Sequence, residues 1–155
     1  MSRFFPRQAM TRRGQFEIPI IGVGRSAKDL EALRARAHES IEKHGGADER
    51  AFPALSAKLQ YVKGDYSSPE TFRELRKALG TASRPLYYLA IPPDSFAGVA
   101  EGLAHAESGK GARLVVEKPF GRDLSSARAL NQVQLKSFSE SAIFRIDHYL
   151  GIGSP

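Results

Sequence analysis

Leu86-Tyr87-Tyr88-Leu89-Ala90-Ile91, stopped by Pro92-Pro93, is the stretch on which the fold turns. The run carries no charge and no turn-forming residue. Continuous rather than alternating apolar character is what a strand buried on both faces requires, and such strands belong to parallel sheets covered by helices. Tyr87 and Tyr88 then fall one on each face of the sheet as packing residues. The prolines end the run because they donate no hydrogen bond to a ladder. Asp94, just beyond, can cap a helix reaching to about Ala106.

The same alternation extends in both directions. Arg113–Val116 reads as the next strand and runs into Glu117-Lys118-Pro119. A helix from about Leu124 to Lys136 follows, and Ala142–Ile146 is a last strand that ends at Asp147-His148. Upstream, Ser68-Pro69-Glu70 reads as a helix start, with serine at the cap and proline in the first turn. Phe72, Leu75 and Leu79 give that helix its apolar face. Leu59–Val62 is a short strand. Residues from about Ala27 to Lys43 read as a helix, because Leu30, Leu33, Ala37 and Ile41 recur at spacings of three and four. Gly45-Gly46 is its stop. Ile18–Val23 is a strand despite Pro19 near its start. Five strands alternating with four helices make an α/β fold, a doubly wound parallel sheet of Rossmann-like type.

Such a fold opens with a strand, a glycine-rich turn and a helix whose N-terminus faces a pyrophosphate. That opening is missing here. Before Ile18 the only glycine is Gly14, and Phe4–Arg13 reads as the end of a helix. Ile18–Val23 is therefore expected to be the second strand of the fold. Residues 1–155 are expected to form a partial dinucleotide-binding domain. Within it, 1–16 are a remnant of the first helix and 17–147 the βαβ core. In the strand order 3-2-1-4-5-6, losing strand one leaves strands two and four without their shared neighbour. Open edges of that kind promote association.

The tip of strand two normally carries an acid for the ribose 2′-hydroxyl of NAD, or a basic group for the 2′-phosphate of NADP. Here the tip is Gly24-Arg25-Ser26, with no acid. Arginine suits a phosphate, being always charged and presenting a bidentate fork. Two readings of Arg25 stand: a phosphate ligand that favours NADP, or a solvated arginine in a βα loop. Gly22-Val23-Gly24 is a weak phosphate-binding motif, since the third glycine is absent and position 27 is alanine.

Composition limits the partners. A formal charge of +6, with Arg3, Arg7, Arg12, Arg13 and Arg25 all early, is compatible with nucleic acid, a membrane surface or phosphorylated small molecules. Zinc spacings, RNA-binding aromatic signatures and dense basic runs are all missing, so nucleic acid is not expected. No apolar run approaches the roughly 18 residues that span a bilayer. No secretory h-region follows Phe4-Phe5. With no cysteine there are no disulfides or thiolate metal sites, and no metal is expected. The cytoplasm is the expected compartment, by elimination.

Two late blocks end apolar strands and carry chemistry: Glu117-Lys118-Pro119-Phe120-Gly121 and Phe144-Arg145-Ile146-Asp147-His148-Tyr149-Leu150-Gly151. Ligands of open parallel sheets bind beyond the carboxyl ends of the strands. Together with Asp123-Leu124, Ala127, Tyr88-Leu89-Ala90-Ile91-Pro92-Pro93 and Ile21-Gly22-Val23-Gly24-Arg25, in the same order, these blocks resemble the glucose-6-phosphate dehydrogenase family over nearly the whole chain.

That resemblance implies oxidation of glucose 6-phosphate at C1 to 6-phosphogluconolactone, with hydride passing to NADP, in the pentose phosphate pathway. It assigns substrate contact to Lys118, His148 and Tyr149. Asp147 would orient and charge-stabilise a catalytic histidine. Arg25 would meet the 2′-phosphate, while Lys118 and Pro92 would lie near the dinucleotide. It also implies a homo-oligomer for the intact enzyme.

The chain departs from the family pattern in two places. Ile152 stands where the family has a phosphate-binding lysine, and Ile152-Gly153-Ser154-Pro155 leaves the family sequence as a frameshift would. The general-base histidine belongs to a following α+β domain, to which 148–155 would be the start of a linker; His38, His44 and His105 do not match it. The expectation is a piece of such a dehydrogenase, clipped at both ends and without activity of its own. Two alternatives come from other classes: a non-catalytic module that pairs through an open sheet edge, and a basic nucleic-acid binder.

Overall fold

A computed structural model describes residues 11, 18–43, 46–106, 111–117 and 124–146. The expected helical remnant within 1–16 lies outside them, apart from position 11. The chain divides into two compact units, 1–65 and 66–155.

In the first unit, strand β1 (Ile20–Gly24) pairs in parallel with β2 (Leu59–Lys63), with Ile20 opposite Leu59 and Gly24 opposite Lys63. β1 begins two residues later than the sequence suggests, and Ile18 is exposed. Pro19 has no N–H to give a ladder; the first rung is instead the Ile20 N–H donating to the Lys58 carbonyl at 2.9 Å. Helix α1 (Leu30–Glu42) crosses between the strands. Its N-cap is Asp29, whose carboxylate accepts from the Ala32 N–H at 2.9 Å. The Gly46 N–H, bonded to the Ile41 carbonyl at 3.2 Å, closes the helix where the glycines are expected to stop it.

Ala37 and Ile41 are fully buried on the face that the spacing picks out. A short helix not foreseen from sequence, α2 (Ala51–Ala57), follows, and its Leu55 is fully buried. The α1 side chain of His38 meets the Phe52 ring of α2 edge-on, with centroids 4.7 Å apart, so this histidine is a packing group. Gly22 lets α1 lie close against β1: a Cβ there would stand 2.8 Å from Leu33 Cδ2.

In the second unit, helix α3 (Pro69–Leu79) precedes a parallel sheet in the order β3-β4-β5. Its strands are Leu86–Leu89, Arg113–Glu117 and Ile143–Ile146. Helix α4 (Phe96–His105) joins β3 to β4, and α5 (Leu124–Ser137) joins β4 to β5. Ser68 stands at the cap of α3 with Pro69 behind it, but its side chain makes no capping bond. β3 stops at Leu89, two residues short of the apolar run. The Pro92 carbonyl accepts from the Ser95 N–H at 3.0 Å and a 3-10 turn at Pro93–Ser95 begins at once. That turn also displaces the expected cap: Ser95, not Asp94, precedes α4. A second 3-10 turn, Glu140–Ala142, takes Ala142 out of β5.

Leu114 and Val116 of β4 are fully buried, as are Phe96 and Leu103 of α4. α3 and α4 approach closely at Gly102, where a Cβ would fall 2.2 Å from Cε2 of the buried Phe72 ring.

All described strand pairings are parallel, and the crossovers are helical. The described residues form two sheets, β1-β2 and β3-β4-β5, rather than one. No described helix is long and apolar enough to cross a membrane.

Candidate functional site

The best-defined candidate element is the turn that leads from the end of β1 toward α1, Gly24-Arg25-Ser26-Ala27. Its backbone is held from below by one side chain. The Tyr61 hydroxyl of β2 lies 2.5 Å from the Gly24 carbonyl and 3.0 Å from the Ala27 carbonyl, and accepts from the Ala27 N–H at 3.3 Å. A phenol has one proton to give and two lone pairs to offer, so it satisfies both ends of the turn at once. Arg25, between those ends, points its guanidinium into solvent: its side chain is 73% exposed. Its Nη1 pairs with Asp65 Oδ2 at 2.9 Å. From α1, Arg36 Nη1 donates to Ser26 Oγ at 2.8 Å. Two arginines and a hydroxyl therefore gather at the tip of β1.

Asp65, Tyr61 and Arg36 escape a reading of the sequence because they are remote from Arg25 along the chain. Parallel pairing brings Asp65 in: the Gly64 N–H donates to the Gly24 carbonyl at 3.1 Å, one rung beyond the Gly24–Lys63 pair. The available signal was adjacency of strand ends, since residues just past two paired parallel strands must be neighbours.

The glycines at 22 and 24 do not form a phosphate-binding turn, since both lie within β1. Gly22 serves the approach of Leu33 instead.

At the other end of the chemistry, Glu117 closes β4 and Ile146 closes β5, and the two are register partners. The sequence motifs begin immediately after them. Lys118, Asp147, His148 and Tyr149 themselves lie outside the described residues, as do Gly121 and His44. Pro92 is described; it is exposed, just past the end of β3. Arg145 of β5 reaches back to the 3-10 turn that precedes its strand, with Nη1 2.8 Å from Glu140 Oε1. His105 Nδ1 sits 2.8 Å from the Glu101 carbonyl within α4. Among the described residues no three His, Asp or Glu side chains gather as metal ligands.

Comparison with known proteins accounts for the fold and for the order of these elements. Residues 8–153 match the family model described as "Glucose-6-phosphate dehydrogenase, NAD binding domain". Glucose-6-phosphate 1-dehydrogenase 1 of Mycobacterium tuberculosis is 38% identical over 142 residues, covering 92% of this chain and 30% of that enzyme. The Saccharomyces cerevisiae glucose-6-phosphate 1-dehydrogenase is 37% identical over 145 residues, 85% of this chain and 28% of that one. Among solved structures, the crystal structure of glucose-6-phosphate 1-dehydrogenase from Mycobacterium avium superposes with a TM-score of 0.90 at 42% identity, over 96% of this chain and 33% of that one. A glucose-6-phosphate dehydrogenase in complex with its substrate glucose-6-phosphate gives a TM-score of 0.83 at 34% identity. The chain thus spans 30% of the length of the first of these relatives. By sequence and by fold, it belongs to the glucose-6-phosphate dehydrogenase family, within the part that the family model describes as the NAD binding domain.

Proposed function

We propose that this chain supplies the dinucleotide-binding part of an NADP-dependent glucose-6-phosphate dehydrogenase, with residues 17–147 as its core, 1–16 as the end of a first helix and 148–155 as the lead into further structure. The observation that supports it best is the Glu117–Ile146 register pair, because it ends β4 and β5 side by side exactly where the sequence turns to Lys118 and to Asp147-His148. The carboxyl ends of parallel strands are where such folds bind ligands.

The residues at the β1 tip fit a dinucleotide that carries a 2′-phosphate. Arg25 is exposed, permanently charged and braced at both flanks, and no carboxylate occupies its own strand tip. Bound NADP would supply the acceptor for the hydride leaving C1 of glucose 6-phosphate, giving 6-phosphogluconolactone. Lys118 would hold the substrate near the reacting carbon and the cofactor. His148 and Tyr149 would hold the sugar phosphate, and Asp147 would orient a histidine base. Pro92 would border the dinucleotide. Neither histidine among the described residues stands as that base: His38 packs on Phe52 and His105 bonds within its own helix. The intact enzyme would act in the cytoplasm and as a homo-oligomer.

Calorimetry on the 155-residue chain tests the cofactor assignment. NADP should bind more tightly than NAD, and Arg25→Ala should bring NADP down to the NAD level, a loss of about ten- to a hundredfold for a charge-assisted bond. Equal affinities in the unsubstituted chain would sink the assignment. These residues alone should turn over no substrate. Reduced nicotinamide formed in response to glucose 6-phosphate, and abolished by Lys118→Ala, would show instead that they suffice.

A further inference from the structure

We propose that Asp65 sets how sharply this chain distinguishes a 2′-phosphorylated adenosine from one with a free 2′-hydroxyl. The inference rests on the reading of Arg25 as the 2′-phosphate ligand. It goes further by assigning a role to a residue on the neighbouring strand.

The ladder carries the geometry. β1 and β2 are parallel, and the Gly64 N–H bonded to the Gly24 carbonyl extends their pairing by one rung. Arg25 and Asp65 therefore leave the sheet at the same edge and in the same direction, and their side chains meet at 2.9 Å. Asp65 is 40% exposed, so its carboxylate faces the same solvent as the guanidinium. Among the described residues at the tip, Arg25 is paired with Asp65 and Arg36 donates to Ser26.

The consequences for the two ligands have opposite sign. A phosphate monoester carries close to two negative charges near neutral pH. To reach Arg25 it must displace Asp65 or lie beside it, and like charges at a shared site repel. A ribose hydroxyl carries a proton and no charge. It can donate to Asp65, as it does to the strand-two acid of NAD-binding relatives of the fold. Here the acid stands past the tip of the neighbouring strand, where it faces the arginine. One carboxylate thus weakens the phosphate and favours the hydroxyl, narrowing a preference that Arg25 alone would make wide.

Asp65→Asn keeps the size and an acceptor oxygen but removes the charge. The probes are adenosine 2′-monophosphate and adenosine, titrated against the full chain by calorimetry or by amide shifts at Gly24 and Arg25. Asp65→Asn should widen the preference for the phosphorylated probe by about three- to fivefold, the scale of an exposed ion pair. The widening should shrink as salt rises, because exposed charges are screened. A residue that served only to hold Arg25 in place would give the reverse, a narrower preference on its removal. A preference unchanged or narrowed by Asp65→Asn therefore overturns the inference while leaving Arg25 its role. Equal binding of the two probes by the unsubstituted chain, or a preference that survives Arg25→Ala, removes the Arg25 reading and this inference with it.

Discussion

The two units hold their functional ends by different means. In residues 1–65 the candidate element is a turn, and it is fixed by polar side chains: Tyr61 on its backbone, Arg36 on Ser26, Asp65 on Arg25. Its apolar support is aliphatic, from Ile41, Leu55, Leu59 and Val62 with Ala27, Ala37 and Ala51 among the buried residues. In residues 66–155 the candidate ends are strand termini, and they are fixed by register and bulk. Leu114 and Val116 are fully buried in the middle strand, and Phe72, Phe96 and Phe138 are buried in the same unit. A turn proposed to select among charged ligands is suited by directional bonds. A strand end that must deliver a motif to a given place needs only an immovable sheet.

Deletion of apolar bulk tests that contrast most severely. Leu114→Ala should cost about 2–5 kcal/mol, as other fully buried leucines do, and it should be read from the denaturant midpoint. The Arg25–Asp65 ion pair should survive it, since both partners are in the other unit. A cost under about 1 kcal/mol would show that bulk is not what holds β4.

Loss of a single hydroxyl gives a smaller effect, confined to the first unit. Tyr61→Phe should cost about 1 kcal/mol. The Ala27 amide, deprived of its acceptor, should exchange about fivefold faster with solvent. If amides of β4 accelerated equally, the polar brace would not be local and the contrast would fail.

Acid should have the smallest effect, and here the units should not differ. Glu39 in α1 is held below the ordinary glutamate value by its hydrogen bond to Lys43, and Glu70 in α3 by its hydrogen bond to Arg73. A carboxylate with a lowered folded-state value contributes stability above its unfolded value and loses it as pH falls through the folded one. Both groups are exposed, so the loss between mildly acidic and strongly acidic pH should be slight in each unit. Melting curves of Glu39→Gln and Glu70→Gln should show that part of the acid sensitivity gone.

The sequence was legible where one residue type has one physical meaning. The run from Leu86 announces a buried strand, and the spacing of Leu30, Leu33, Ala37 and Ile41 announces a helix face; both are present. The motifs after Glu117 and Ile146 name the family, which the comparisons establish. Boundaries were less legible because two local rules compete there. Ala90 and Ile91 are apolar enough for a strand, but the prolines after them impose a turn; Asp94 is a good cap, but that turn leaves the position to Ser95. α2 was illegible for want of length, since Ala51–Ala57 is too short to show a period. Asp65 was illegible as part of a site because its meaning comes from Arg25, 40 positions away.

Gly102 shows how far a residue's meaning can be inverted by its neighbour. Judged by helix propensity, glycine inside a helix is a defect of about 1 kcal/mol that alanine would mend. In α4 the missing methyl is the space that the Phe72 ring occupies. Restoring it would put a carbon inside an aromatic ring's own volume, and overpacking of that kind costs about 1–3 kcal/mol. A stabilisation scheme built on propensity would therefore choose this position for improvement and make the protein worse.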